Sequence, residues 1–488
     1  MTRKVLILIV VFVSAASLGF GQYLPPNGGN TLNDLASPSF LGGGASVTSL
    51  ESPQADAINP AAAGLKQRIT LDLGYIGLIG FGGVGDSGYR GHAANIGASF
   101  PSRVGVFTVS GHFVHSPFTG MNLGTLATGR FSFAKDLYPN LLFGIGLSFT
   151  YGTNVTSDWS LAADLGIMHL PGDIGFMKDF RWGVALQGLG KPFAPVPGRS
   201  PYPAPFTPVG GVAFDLVQAE AVRFGLFADL GFPFVQDIEF TLGGNLMIKE
   251  TFGIQFATRF DLQEIVNPTL AMRSPIPSFG ISFTFRTNIK EEAEFFSERG
   301  WNRSEVKTQV SASPFQNNIW GIGAGVNIPL GVIDSEGPEI AVEYEDTGYI
   351  SPNNDGESDA LVLPIGIEDR RYIRGYALTF YNNEGEAVRE IRNKEQRPEN
   401  RGFRNIWDRL TYVKQGIEVP ASLRWDGKAD DGSQVPDGTY TFTLESWDDN
   451  GNRTITDPKS VVVDVTDPEV TLEVEADNTI FSPNDDGN

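Results

Sequence analysis

The chain contains no cysteine. That excludes a disulfide scaffold, a thiol nucleophile and a lipid-modified N-terminal cysteine. Histidine is scarce, with only His92, His112, His115 and His169. His112 and His115 are three apart, so on a strand they point to opposite faces and cannot share a metal. No Ser-His-Asp order with a nucleophile elbow, no phosphate-binding glycine loop and no zinc spacing occurs, so the chain reads as non-enzymatic. Past the first residues there is no long unbroken apolar run, which excludes a membrane-spanning helix. Basic residues are few, 36 against 57 acidic for a net charge of −21. Nucleic acid, which needs a basic footprint, is therefore excluded as a partner.

What the chain has instead is alternation. Leu141, Phe143, Ile145, Leu147, Phe149 and Tyr151 interleave with Leu142, Gly144, Gly146, Ser148 and Thr150. A period of two is a β-strand, because successive side chains leave opposite faces. Stretches of this length recur about a dozen times behind a secretion signal. The signal comprises basic Arg3 and Lys4, apolar Val5–Val13 and a Gly19-Phe20-Gly21 cleavage site. The pattern predicts strands greasy toward lipid and polar toward a lumen, an outer-membrane β-barrel that needs no spanning helix because closure satisfies its backbone.

Fourteen strands are predicted, near Ile69–Leu78, Ala94–Phe100, Val104–Phe113, Arg130–Ala134, Leu141–Tyr151, Trp159–His169 and Trp182–Leu189, then Val212–Leu216, Val222–Leu230, Ile238–Ile248, Phe252–Phe260, Phe279–Phe285, Val306–Val310 and Ile319–Ile328. Several even-numbered links are short (Pro101–Arg103, Val217–Ala221, Lys249–Thr251), and several odd-numbered ones are long, including Gly190–Pro208. Short turns face the periplasm and long loops the outside in such barrels. The link Thr287–Glu305 breaks this rule.

Asp72, His112, Asp164, Gln187, Asp215, Arg223, Asp229, Glu239, Gln255, Arg259 and Arg286 occupy the face opposite the apolar rows. Charge facing lipid costs about 2–4 kcal/mol per basic residue at the midplane, so these residues are lumen-lining candidates. They serve either as an internal brace or as a ligand or ion path.

Before the first strand stand Gly44-Ala45-Ser46-Val47-Thr48-Ser49 and Asp56-Ala57-Ile58-Asn59-Pro60-Ala61-Ala62-Ala63-Gly64-Leu65. Asn before Pro is an extended or turn dipeptide, suited to fixing entry into a strand. The segment resembles the start of FadL-type hydrophobic-compound channels and the related PorV-like outer-membrane proteins. The likeness extends over roughly 40–330, with Asn59, Pro60 and Ala61 as its motif. It implies a fourteen-stranded barrel whose N-terminal segment is a plug or hatch, and hydrophobic cargo that leaves sideways into the membrane beside it. A plain turn is the alternative for the motif itself.

Residues 331–488 hold 15 basic and 34 acidic residues, so nearly all the net charge lies there. Asp334-Ser-Glu-Gly-Pro338-Glu339-Ile340 returns as Asp464-Val-Thr-Asp-Pro468-Glu469-Val470, and Ser351-Pro-Asn-Asn-Asp-Gly356 as Ser482-Pro-Asn-Asp-Asp-Gly487. The offsets nearly agree, which predicts a tandem unit whose second copy is truncated. Predicted strands Tyr376–Tyr381, Ala387–Ile391, Thr439–Trp447 and Ser460–Val465, divided by Asn/Asp-Gly turns, suggest an all-β sandwich. Trp425-Asp-Gly-Lys428, Val435-Pro-Asp-Gly-Thr-Tyr440 and Asp449-Asn-Gly-Asn452 resemble the Ig-like domain of the flagellar hook-cap protein FlgD. Asn353, Asp355 and Asp359 offer hard oxygens in a loop with glycine, so they are either calcium ligands or turn formers.

The chain is thus expected to be all-β, with five segments. These are signal peptide 1–21, plug segment 22–67, an approximately fourteen-stranded transmembrane β-barrel over 68–330, an Ig-like β-sandwich repeat over 331–465, and the start of a second repeat over 466–488. The function expected is a FadL-like channel for hydrophobic small molecules in the outer membrane, with periplasmic acidic repeats. The alternative is a PorV-like anchor presenting the repeats to envelope proteins. Outer-membrane lipid is the constant partner, and no cofactor is required.

Overall fold

A computed structural model describes residues 28–50, 53–66, 68–81, 90–138, 140–202, 206–266, 275–288, 301, 303–344, 347–370, 372–398, 404–466, 470, 471 and 473. The signal peptide, the Ser482–Gly487 motif and residues 467–469 of the other repeat motif lie outside them. Two compact units result, one of residues 1–333 with 398–413, the other of 334–397 with 414–488.

The first unit is built on fourteen strands. They are β1 Thr70–Gly80, β2 Arg90–Pro101, β3 Val106–Ser116, β4 Gly124–Tyr138, β5 Leu141–Thr153, β6 Ser157–Ile174 and β7 Met177–Lys191, then β8 Thr207–Gln218, β9 Val222–Gly231, β10 Glu239–Ile248, β11 Phe252–Asp261, β12 Ser278–Asn288, β13 Arg303–Pro314 and β14 Ile319–Pro329. Each pairs antiparallel with its neighbours, and β1 closes the ring on β14 from Thr70↔Pro329 to Gly80↔Ile319. Closure leaves no unpaired edge, which is what a wall without water requires.

The alternation sets the two faces. In β5, Ile145, Leu147, Phe149 and Tyr151 are exposed while Gly144, Gly146, Ser148 and Thr150 are buried. Leu71, Leu73, Phe113, Phe131, Leu161, Ile281 and Phe283 extend the exposed apolar band around the ring, far beyond the patches tolerated on a water-soluble monomer. The even-numbered ladders turn tightly at Ser102–Gly105, Gly175–Phe176, Ala219–Ala221 and Lys249–Thr251. Strand β12 runs to Asn288 and β13 begins at Arg303, so the exceptional link is shorter than its sequence suggested, and most of it lies outside the described residues.

One expectation needs correcting: the interior is not polar throughout. At the end carrying the odd-numbered links, the inward side chains of Ile76, Leu78, Ala93, Val114, Leu126 and Ile319 are apolar and fully buried. They pack with Leu35, Leu41, Phe118, Met121, Leu123, Phe193 and Tyr202. The loop after β7 folds back through paired Phe193 and Tyr202, and the Tyr202 hydroxyl donates to the Leu123 carbonyl at 2.8 Å. This end is closed by hydrocarbon.

Residues 398–413 belong to the barrel unit although they follow the first strands of the acidic region. Their helix, Arg404–Thr411, presents Arg409, which donates to the Leu137 carbonyl at 2.6 Å and lies 4.0 Å above the Tyr138 ring. Lys135 donates to the carbonyls of Leu410 (3.1 Å) and Tyr412, cations at a helix C-terminus being favourable.

The second unit has two sheets. One holds β15 (Glu339–Val342), β17 (Leu361–Glu368) and β20 (Ser422–Trp425). The other runs β16 (Thr347–Ile350), β23 (Lys459–Val463), β21 (Gly438–Asp448), β18 (Ile373–Tyr381) and β19 (Ala387–Lys394), with β22 (Arg453–Ile455) paired to β21. Their shared core centres on Phe380 stacked 4.0 Å from Trp425, flanked by Tyr440, Phe442 and Leu378. The four predicted strands are present. Strands β15, β16, β20 and β22 are too short to show a period, and Pro364 disguises β17.

A buried ion network ties the loops of this unit. Arg397 donates to Glu395 at 2.8 Å and to Asp449 at 2.6 Å, and Lys414 lies 3.3 Å from Asp449. Burial opposes the Asp449 charge, but Lys414 and Arg397 outweigh it and hold the carboxyl below the usual range. Its contribution to stability is therefore complete above about pH 4 and lost as pH falls through the lowered folded value. Hydrogen-exchange protection factors at residues 373–381 of the full chain, corrected for the intrinsic pH dependence of exchange, should fall on acidification through that window. Asp449→Asn should accelerate exchange at neutral pH and flatten the acid response.

Candidate functional site

The N-terminal segment is short helices and turns: α1 (Gly28–Leu35), α2 (Pro38–Gly43) and two 3₁₀ turns, Pro53–Ala57 and Pro60–Leu65. Ser37 caps α2, accepting from the Ser39 and Phe40 amides, with Pro38 at the first helical position. Gly44 ends the helix at φ 76°, where a side chain would be strained. α2 packs on β11–β14, and the second 3₁₀ turn on β4–β6.

Asn59 organises this second turn. Its Oδ1 accepts from the Ala61 amide at 3.1 Å, while Nδ2 donates to the carbonyls of Val47 (2.8 Å) and Ile167 (3.3 Å). Pro60 and Ala61 then lie on glycine. A Cβ on Gly144 would stand 2.2 Å from the Pro60 carbonyl carbon, and one on Gly166 2.0 Å from Asn59 Oδ1. Gly144 and Gly166 are directly paired across β5 and β6. Together they form a notch in the wall that only glycine allows.

The candidate lumen residues mostly fasten the segment or brace the wall. Asp229 accepts from the Val47 amide (2.8 Å) and the Ser46 hydroxyl (3.1 Å). Gln187 donates to the Ile58 carbonyl at 2.7 Å. Arg259 grips Asp34 with both terminal nitrogens, at 3.0 and 3.2 Å. Asp164 pairs with Arg130 and accepts from the Gly188 amide at 2.8 Å. Asp72 accepts from Asn95 and Asn327, each at 3.0 Å. Gln255 is buried beside Gly43. Breaking such a buried pair by removing one partner costs about 3–5 kcal/mol, so the segment is held firmly.

Others lie elsewhere. Asp215 and Arg223 pair at the even-link end, where Arg223 also meets Asp179. Glu239 gathers with Asp237 and Asp261 at the opposite end, carboxylate oxygens within 4.8 Å of one another. Arg286 shares the inward parity but is a correction. It sits at a strand end with its side chain 76% exposed, 3.7 Å from Glu305, so it belongs to the rim and not to the lumen wall.

Asn353, Asp355 and Asp359 hold the turn of their own loop. Asn353 Oδ1 accepts from the Asp355 amide (3.0 Å), Asp355 Oδ1 from the Glu357 amide (2.7 Å), and the two Asp359 oxygens from the Asn354 and Gly356 amides (2.7 and 2.9 Å). Oxygens bonded to their own loop's amides form the turns that Asn and Asp favour.

A cavity of about 840 Å³ opens at the even-link end, lined by Ser46, Thr48, Arg181, Asp215, Arg223 and Phe227 among others. Two further spaces lie back to back on the two faces of the wall. On the inside, about 70 Å³ lies between Leu32, Ala36, His112, Thr128, Arg130 and Thr150. On the outside, a groove of about 530 Å³ runs between Ile96, Phe113, Phe149 and Tyr151. The two share Gly111, His112 and Thr128. Gly111 and Gly129 are directly paired on the outward face, so at this point the wall is backbone alone. His115 and His92 face outward, bonded to Thr125 and Tyr75.

Arg130, Asp56 and Asp34 escaped the sequence reading. Arg130 opened a predicted strand where parity is hardest to judge, and Asp34 and Asp56 lie in a segment without periodicity. Asp56 accepts from the Ser132 hydroxyl at 2.5 Å.

No family model and no curated protein matches the chain. Among solved structures it is similar to the Ralstonia pickettii toluene transporter TbuX, at 11% identity over 60% of this chain and 98% of that one, with a TM-score of 0.39. A Pseudomonas aeruginosa FadL homologue is 10% identical over 64% and 99%, with a TM-score of 0.38. The CymD monoaromatic hydrocarbon channel is 12% identical over 62% and 99%, with a TM-score of 0.40. These likenesses are weak.

Proposed function

We propose that the chain is a FadL-like outer-membrane channel that takes hydrophobic small molecules from outside and releases them sideways through its wall. One observation carries the reading: an inner cavity and an outer apolar groove lie back to back where only backbone, at Gly111 and Gly129, separates them. The apolar cluster that closes the odd-link end supports it, being a barrier that hydrocarbon can partition into and ions cannot. The segment held by Asn59, Pro60 and Ala61 acts as the plug that denies a straight aqueous path and steers cargo to the wall. Proteoliposomes with lipopolysaccharide in the outer leaflet should take up a radiolabelled alkylbenzene and fatty alcohol faster than empty ones. Uptake no faster than empty liposomes defeats the channel.

Residues 331–465 act as an acidic Ig-like domain on the periplasmic side. Both ends of the barrel stand at the even-link end, where the exported N-terminus stays. Protease added to intact cells should spare this region, and ready digestion there rejects the orientation.

A second reading, a PorV-like anchor for envelope proteins, draws on the many bonds that fill the lumen with the segment. Crosslinking of intact cells separates the two, since a stable partner joined to 331–465, with no uptake, favours the anchor.

A further inference from the structure

The helix Arg404–Thr411 belongs to the barrel unit, yet the chain up to Arg397 and from Lys414 onward belongs to the acidic one. It rests on the outside of the ring. Lys135 is paired with Phe143 and Tyr138 with Leu141, on the face that carries Phe131 and Ile145. Lys135 is nevertheless only 2% exposed, because the end of the helix covers it and takes its ammonium on the Leu410 and Tyr412 carbonyls. Lys135 and Tyr138 follow Phe131 and Phe133 along β4 toward the even-link end. The helix therefore lies at the edge of the apolar band.

Ile406, Arg409 and Leu410, three and four apart, form its half-buried side. Arg409 reaches toward the strand end, donating to the Leu137 carbonyl and lying over the Tyr138 ring. Trp407 stands two residues before Arg409 and so about 200° round the helix, away from both wall and rim. Its 71% exposure is the highest of the seven tryptophans. At the edge of an apolar band that direction is lipid. An indole suits the boundary, its ring among acyl chains and its N–H toward headgroups. Asp408 beside it is exposed too, which keeps the helix at the membrane surface and out of the hydrocarbon.

We infer that Arg404–Thr411 is an interfacial anchor that seats Trp407 in the leaflet around the even-link end of the barrel. Its partner is the lipid surface. A protein docked on Trp407 would have to displace lipid from a patch continuous with the wall's own lipid face. The anchor pins to the membrane a stretch whose two ends both continue into the acidic unit's chain. It rests on the reading of the barrel as membrane-spanning and is independent of transport.

The lack of cysteine leaves a single engineered nitroxide label unambiguous. Trp407→Cys, Leu147→Cys and Asp431→Cys, each labelled in the full chain in phospholipid nanodiscs, are compared for collision with two reagents. Oxygen partitions into acyl chains, whereas a nickel chelate stays in water. Leu147, on the exposed apolar face, gives the lipid value, and Asp431, in an exposed turn, the water value. The label at position 407 is expected about 5–10 Å inside the headgroup boundary, with loss of the chelate collisions that Asp431 retains. Collision with the chelate as free as at Asp431 overturns the anchor. Shielding from both reagents also overturns it, since that means a protein contact. If the label at Leu147 meets the chelate freely as well, the membrane barrel falls too; if Leu147 is in lipid and position 407 in water, the anchor alone falls. A second readout needs no label. Lipid brominated near its headgroups should quench the emission that Trp407→Phe removes, and unquenched emission there equally overturns the anchor.

Discussion

Gly129→Trp is expected to reduce uptake of hydrophobic probes at least tenfold while leaving the barrel folded. Gly129 faces outward, and a Cβ there meets nothing within 4 Å. An indole at this position therefore enters the groove that borders Ile96, Phe113 and Phe149 without displacing protein atoms. The Gly111↔Gly129 pairing is a backbone matter and survives, and an apolar aromatic on a lipid-facing strand costs nothing to expose. Surface changes of this kind alter stability by about 0.5 kcal/mol or less, so loss of uptake reports a blocked exit. Phe131→Trp, on the same face and strand, is the control and should transport normally. Uptake by Gly129→Trp at the unaltered rate would rule out release through this part of the wall.

The second large effect is at the notch. Gly144→Leu drives a side chain into the Pro60 carbonyl carbon, the Ala61 nitrogen and the Pro60 oxygen, 2.2, 2.3 and 2.4 Å from its Cβ. These are backbone atoms, with no rotamer to relieve the contact, so the cost should exceed the 1–3 kcal/mol typical of overpacking. Either the strand or the segment must yield. Strand β5 is laddered on both sides, to β4 and β6, whereas the turn at Pro60 is held by a few side-chain bonds, so the segment yields. Amide exchange over residues 53–66 should accelerate, and ion conductance in planar bilayers should rise above that of the unaltered protein. Gly146→Ala, whose Cβ would lie 3.4 Å from Pro60 Cγ, should change neither. Unchanged exchange and conductance in Gly144→Leu would mean that the segment does not close the lumen.

The barrel was legible because alternation is a local property. Leu141–Tyr151 shows both faces in eleven consecutive letters, and each predicted barrel strand is found. Strand β4 was read as five residues, Arg130–Ala134, but spans Gly124–Tyr138, because Thr125, Ala127 and Gly129 are too small to mark a lipid face. That lack of bulk is what thins the wall. Charge placed opposite an apolar row revealed Asp72, Asp164, Asp229 and Arg259 for the same local reason. Their partners were not legible. Nothing in the run Gly28–Leu65 says that Asp34 will meet Arg259 or Pro60 will meet Gly144, since these pairings form only when the ring closes around the segment. The inward Ile76 and Leu78 were hidden differently: apolar on both faces, the end of β1 gives no parity to read.

Closure of the ring on β1 and β14 fixes an order of assembly. The segment emerges from the export machinery first, yet its partners are spread over β1 to β14. Once the last staves meet, the notch at Gly144 and the grip of Arg259 lie inside a closed ring. If the segment docks while the sheet is still open, it serves as the mandrel on which the staves are bent. Maturation in the cell would then be limited by the final seam, the contact with the greatest separation along the chain.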